Sequence, residues 1–128
     1  MASTRDQIIE KTCELLELQG YHATGLNQII RESGSPKGSL YYHFPGGKEE
    51  LAVEAVSRVG EIVLRRIVDN LAQIDDAAAA ISGFIANIAV HVERSGFRAG
   101  GPITTIALET ATDSETLRAT CDRIYGGW

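Results

Sequence analysis

Apolar residues recur along the chain at three- and four-residue intervals, and Gly, Pro, Ser and Asp interrupt them at helix-length spacing. This pattern predicts helices throughout and no strand. The first run turns Ile8, Ile9, Cys13, Leu15 and Leu16 to one side and leaves Glu10, Glu14 and Glu17 for water. Thr4-Arg5-Asp6-Gln7 reads as a capping box at its start, and Gly20 as its stop. A second helix is expected behind a cap at Thr24, with Leu26, Ile29 and Ile30 at i, i+3, i+4, ending at Gly34. A third starts with Ser35 as cap and Pro36 in the first helical position, and it ends near Phe44, ahead of Pro45-Gly46-Gly47.

A long fourth helix should run from about Lys48 toward Leu71 on a buried stripe of Leu51, Ala55, Val56, Val59, Ile62, Val63 and Ile67. Beyond Asp75, read as a cap, the series Ile81, Phe84, Ile85, Ile88, Ala89 and Val92 is the cleanest amphipathic stripe in the chain. A glycine-containing loop over Arg94 to Gly101 and a short helix from Pro102 to Ala111 follow. Ser114 caps a last helix whose stripe, Leu117, Cys121, Ile124, Tyr125 and Trp128, is still running at the final residue. The expected class is all-α.

Composition changes this picture little. With 44% hydrophobic and 23% charged residues the chain can bury a core. No stretch approaches the roughly 20 apolar residues of a membrane span, and Met1-Ala2-Ser3-Thr4-Arg5 lacks a signal-peptide apolar region, so a cytoplasmic protein without membrane contact is expected. Cys13 and Cys121 are isolated, with no CxxC spacing, and read as small core residues in a reducing compartment. His91-Val92-Glu93 has the H-x-E half of a zinc-deaminase signature, but no P-C-x-x-C accompanies it. Neither Cys has the paired His of a thiol nucleophile in its sequence context. The expectation is therefore no enzyme, no metal and no cofactor.

Function rests on residues 24 to 48. Two short helices joined through Ser33-Gly34-Ser35 have the proportions of a helix-turn-helix, in which the first helix braces the second across a DNA major groove. The second, Ser35-Pro36-Lys37-Gly38-Ser39-Leu40-Tyr41-Tyr42-His43-Phe44, carries Gly in its first turns, where Gly costs about 1 kcal/mol against Ala. Close approach of another object to the backbone at Gly38 is a reason to accept that cost. Lys37 and Ser39 beside it offer donors for base edges or phosphates. Leu40 and Phe44, one turn apart, should pack inward with Tyr41 partly covered, leaving Tyr42 and His43 at the rim to reach phosphates. Lys48 stands at the start of a helix, where a cation is unfavourable unless a phosphate joins it, and Thr24 offers a hydroxyl beside helix amides.

Charge argues the other way. The net charge is −5, and the first fifty residues hold five Lys and Arg against seven Asp and Glu. A nucleic-acid binder normally shows a basic footprint. The alternative is an all-α protein–protein interaction module that does not bind DNA, and its binding would depend only weakly on salt.

The segment from Ser35 through Lys48-Glu49-Glu50-Leu51, preceded by Gly20-Tyr21-His22-Ala23-Thr24 and Ile29-Ile30-Arg31-Glu32-Ser33-Gly34, resembles the recognition-helix signature of TetR-family regulators over about residues 4 to 60. Gly100-Gly101-Pro102-Ile103 to Ala111 and Leu117 to Trp128 are similar to the ligand-binding region of the LmrA/YxaF-like subgroup. The resemblance implies a homodimeric repressor on pseudo-palindromic double-stranded operator DNA. Its DNA contacts would fall on Thr24, Ser35, Lys37, Gly38, Tyr41, Tyr42, His43 and Lys48, to which the residue chemistry adds Ser39. The Pro-Gly-Gly loop is one residue longer than the family's commonest form, which bears on how Lys48 is oriented.

The resemblance further implies a helix-turn-helix domain over 1–47, extending into the fourth helix to about 60, and a helical effector-binding and dimerisation region over 48–128. A small apolar effector would be lined by Phe84, Ile88, His91, Phe97, Ile103 and Ile106. The family's second domain is larger than 48–128, so either this region is incomplete at its C-terminus or the dimer contact is rebuilt from what remains. The unfinished stripe at Trp128 favours the first.

Overall fold

The computed structural model describes residues 2–73, 75–99 and 101–128. Within them the chain forms α1 (Thr4–Gln19), α2 (Leu26–Ser33), α3 (Lys37–His43), α4 (Lys48–Gln73), α5 (Ala77–Arg94), α6 (Pro102–Thr110) and α7 (Glu115–Gly127). The all-α expectation holds. Gly100, in the loop expected before α6, lies outside the described residues.

Ser and Asp side chains cap three of the helices, α1, α5 and α7, and the cap positions of α1, α2, α3 and α5 sit one residue from where the sequence puts them. Ser3, not Thr4, caps α1: its Oγ accepts from the Asp6 amide at 3.1 Å and donates to Asp6 Oδ2 at 2.9 Å. Asp76, not Asp75, caps α5 by accepting from the Ala78 amide. Gly25, not Thr24, occupies the cap position of α2. The cap at Ser114 falls where expected, with its Oγ accepting from the Leu117 amide at 3.2 Å.

α1 is the hub. It packs on α2, α3, α4 and α6, while α7 packs on α4 and α6. One continuous core therefore runs from Ile29, Leu40 and Phe44 through Ile8, Ile9, Leu16, Leu51 and Val56 to Ile103, Ile106 and Leu117. The first three helices and the C-terminal pair α6 and α7 thus share a single hydrophobic interior. Cys13 and Cys121 are free thiols packed into or against this core, and burial pushes the Cys13 thiol up to about 11.

Core packing stops short of the second half of α4 and of α5. Leu51, Ala55 and Val56 of the expected α4 stripe are buried, but Ile62 is exposed and Val63 and Ile67 are half-buried. On α5 Ile81 is 56% and Ile85 60% exposed, and Ala80 is the one fully buried residue among those described. The amphipathic stripe of α5 is thus largely exposed, with Phe84 and Val92 half-buried. Periodicity reports that a helix has such a face; it does not report what lies against it.

Gly60 sets the spacing of α4 and α7. A Cβ there would come within 2.8 Å of Ile124 Cγ2, and the Gly60 carbonyl accepts a hydrogen bond from Trp128 Nε1 at 3.3 Å. Replacing Gly60 by Val should therefore destabilise the fold by about 1 to 3 kcal/mol through overpacking, despite the better helix former it introduces. Urea unfolding followed by helical circular dichroism tests this, and an unchanged midpoint would show that α7 simply yields.

Candidate nucleic-acid interface

The turn between α2 and α3 is built on Gly34, whose left-handed φ of +69° closes α2 where a side chain would be strained. α3 is only seven residues long and cannot be stable by itself. Leu40 and Phe44, both fully buried, fix it to the core together with Ile29 of α2. The Arg5 guanidinium lies over the Phe44 ring at 5.2 Å, so α1 clasps the end of α3 from the solvent side as well.

With that face buried, the opposite face of α3 is presented to solvent. Lys37 and Gly38 are exposed, Tyr41 is 47% and Tyr42 82% exposed, and Ser39 and His43 are half-buried. Tyr42 and His43 meet edge to face at 5.0 Å, which orients both rings. A Cβ at Gly38 would meet nothing of the protein within 4 Å, and Gly38 has ordinary helical backbone. Nothing inside the molecule accounts for Gly there.

Two of the expected site residues sit otherwise than their sequence suggests. Thr24 is buried, and its hydroxyl donates to the Gly20 carbonyl at 2.6 Å, satisfying the end of α1. A β-branched hydroxyl residue just before a helix reads as a cap, but here it bonds backwards, so it has no free hydroxyl to offer a ligand. The N-terminus of α2, with Gly25 at the cap, has no side chain bonded to its amides. Ser35 is also buried, and its Oγ has no hydrogen-bond partner; Pro36 takes the cap position, so α3 starts at Lys37, one residue later than expected.

Lys48 opens α4. Its predicted conflict with the helix dipole is offset by Glu49 and Glu50 in the same turn, and Glu50 accepts from the Gly46 amide. The Lys48 ammonium lies 4.2 Å from the centre of the Tyr21 ring. Burial lowers its pKa from the ordinary lysine value, against the opposing pull of the Glu109 carboxylate. The Pro-Gly-Gly loop thus delivers Lys48 beside Tyr21, in the turn between α1 and α2. Sequence reasoning did not single out Tyr21 or Glu109. The only local hint was a glycine at position 20, where φ is +81°.

The six effector-lining candidates separate. Ile103 and Ile106 are core residues; the void they border, with Cys13, Leu16, Ala55, Val56 and Val59, is too narrow for a water molecule. Phe84 is half-buried, while Ile88 and Phe97 are exposed. His91 is exposed and hydrogen-bonds Glu17 Oε1 at 2.8 Å, tying α5 to α1. A cluster of three or more His, Cys, Asp or Glu able to hold a metal does not occur among the described residues. None of their helices is long and apolar enough to cross a membrane.

Residues 8–55 match the family model for bacterial regulatory proteins of the tetR family, and residues 77–128 match that of the LmrA/YxaF-like transcriptional regulator C-terminal domain. The chain is 44% identical over 125 residues to the HTH-type transcriptional regulator LmrA of Bacillus subtilis (strain 168), covering 98% of this chain and 66% of that protein. It is 46% identical over 125 residues to the uncharacterized HTH-type transcriptional regulator YxaF of the same strain, covering 98% and 65%. In structure it is similar to the regulatory protein TetR from Rhodobacter sphaeroides, with a TM-score of 0.87 at 22% identity, over 95% of this chain and 65% of that one. The chain thus spans just under two thirds of the length of the relatives it matches. Two family models side by side, the relatives at 44% and 46% identity and the shared fold agree: the chain belongs to the TetR family of bacterial regulatory proteins, in its LmrA/YxaF-like subgroup.

Proposed function

We propose that the chain is the DNA-binding part of a transcriptional regulator, a repressor, and that the exposed face of α3 reads the major groove. The observation that carries this is Gly38: a helix-weakening residue on the most exposed face of a well-anchored helix, with open space above it. Lys37 and Ser39 flank it and supply donors to bases, while Tyr41, Tyr42 and His43 reach the backbone on either side. The open amides of α2 and the Lys48 ammonium face phosphates, which suits both a helix N-terminus and a partly desolvated cation. Ser35 and Thr24 act by holding the backbone.

In this reading residues 1–47, continuing into α4 to about 60, form the headpiece, and 48–128 belong to the region that senses an effector and dimerises. Two headpieces in a homodimer lie in successive major grooves roughly 34 to 36 Å apart on a pseudo-palindrome. A small apolar effector releases DNA if it favours a different headpiece spacing, since only differential affinity shifts such an equilibrium. The protein works in the cytoplasm and catalyses nothing. The interaction-module reading has one observation behind it, the net charge of −5.

Salt separates the two. Operator binding should weaken by about 0.9 log unit per log unit of salt for each phosphate neutralised, whereas protein binding should change little. Replacing Lys48 by Ala should weaken binding to all duplexes alike and reduce that slope by about one unit. A gel-shift series from 50 to about 200 mM salt measures both; an altered sequence preference in the variant would refute the phosphate role of Lys48.

A further inference from the structure

The turn between α1 and α2 is held by a residue from the far end of the chain. Glu109, on α6, places Oε2 2.8 Å from the Tyr21 amide and 2.9 Å from the His22 amide, spanning 88 and 87 positions of sequence. These amides fall where α1 has ended and α2 has not begun, so no helix supplies them with acceptors. Two successive N–H groups converging on one carboxylate oxygen form short, charge-assisted bonds.

The fit requires Gly20. Its φ is +81°, and an added Cβ would overlap Glu109 Oε1. His22 completes the joint. Its Nε2 is 3.2 Å from the Glu109 carbonyl and 3.2 Å from Asp113 Oδ2; both are acceptors, so this nitrogen carries the proton. A second strap lies nearby, where Ser114 Oγ donates to Glu49 Oε2 at 2.8 Å.

Both elements assigned to phosphates branch from this turn. Tyr21 carries the Lys48 ammonium on its ring, and Thr24, bonded to the Gly20 carbonyl, leads into the open N-terminus of α2. We propose that Glu109 is a positioning residue for DNA binding: by clamping the Tyr21 and His22 amides, α6 sets where Lys48 and the start of α2 meet the phosphate backbone. The inference rests on the DNA-binding reading. It means that the binding surface is completed by the C-terminal helices, and that any displacement of α6 reaches the phosphate contacts through one carboxylate.

The test uses the full chain and duplexes that the wild-type protein retains from a random-sequence library. Glu109→Ala should bind them about tenfold more weakly and lower the salt slope by about one unit, because Lys48 is no longer held. Hydrogen exchange at the Tyr21 and His22 amides should become about tenfold faster while the core amides keep their protection. Glu109→Gln, which keeps one acceptor oxygen, should recover most of the affinity. A Glu109→Ala variant with unchanged amide exchange, or with weaker binding at an unchanged salt slope, overturns the proposal, since a merely structural role would lower affinity without touching the slope. A wild-type protein that retains no duplex overturns the DNA-binding reading and this inference with it, whereas normal binding by Glu109→Ala overturns this inference alone.

Discussion

Replacing Gly38 by Leu should raise the thermal stability of the protein while reducing its affinity for specific DNA by at least about a hundredfold. The two effects have separate causes. Within the protein the new side chain meets no atom within 4 Å of its Cβ, and Gly38 already has a helical backbone, so no strain is introduced. Leu is the better helix former by about 0.8 to 1 kcal/mol, and α3 is short enough to need the help. In the complex, the same side chain would stand between the helix backbone and the bases. Keeping α3 about a side chain's length from the groove breaks the bidentate geometry on which each base contact depends, about 1 to 3 kcal/mol apiece. Measuring the melting midpoint and the operator affinity on one preparation decides the matter. Operator affinity equal to the wild type's would remove the argument from Gly38, and a lowered midpoint would show that the glycine serves the fold.

The charge of the chain points away from DNA, but the sum does not show where the acidic groups sit. Four of the seven acidic residues of the first fifty are engaged by other groups: Asp6 pairs with Arg58 at 2.9 Å, Glu50 accepts from Gly46, Glu49 from Ser114, and Glu17 meets His91. Arg58, through its hydrogen bond, holds the Asp6 carboxyl below the usual carboxylate range. Lys37, Tyr41 and Tyr42 of α3 are exposed and take part in none of these pairs. Placement, not the sum, determines the field a phosphate meets at this face.

Helix periodicity made the seven elements legible, and the resemblance at Ser35 to Leu51 made the motif legible, because both are local patterns. Caps were readable to within one residue. Ser3 and Thr4, or Asp75 and Asp76, are adjacent residues of equal chemistry, and only backbone geometry chooses between them. Thr24 misled for a definite reason: its hydroxyl can bond forward as a cap or back to Gly20, and sequence does not distinguish the two. Glu109 was out of reach altogether. A glutamate on a short helix carries no mark of a turn 88 positions earlier, and the positive φ of Gly20 announces a special backbone without naming what approaches it. The second half of α4 is the converse case, in which the pattern was seen but Ile62, expected in the buried stripe, is exposed.

Replacing Phe44 by Ala should lower stability and DNA affinity together, in contrast to Gly38. Phe44 is fully buried, terminates α3 and seats its ring in the core shared by the short helices. Its removal forfeits the transfer of a large side chain and leaves a cavity, about 3 to 5 kcal/mol in all. The Arg5 guanidinium loses the ring beneath it, and His43 loses the tilted contact at 6.3 Å that helps aim it. Against a total stability of about 5 to 15 kcal/mol for a domain, that loss takes much of the margin. Because α3 makes few other buried contacts than Leu40, it should be the first element to detach, so binding should fall at temperatures where α1 and α4 remain helical. Phe44→Leu, which keeps most of the volume, should recover the greater part of both quantities. Chemical denaturation alongside a binding titration at low temperature reads the two losses. Full operator affinity in a Phe44→Ala protein whose midpoint has dropped would mean that α3 is held in place by the DNA itself rather than by the core beneath it.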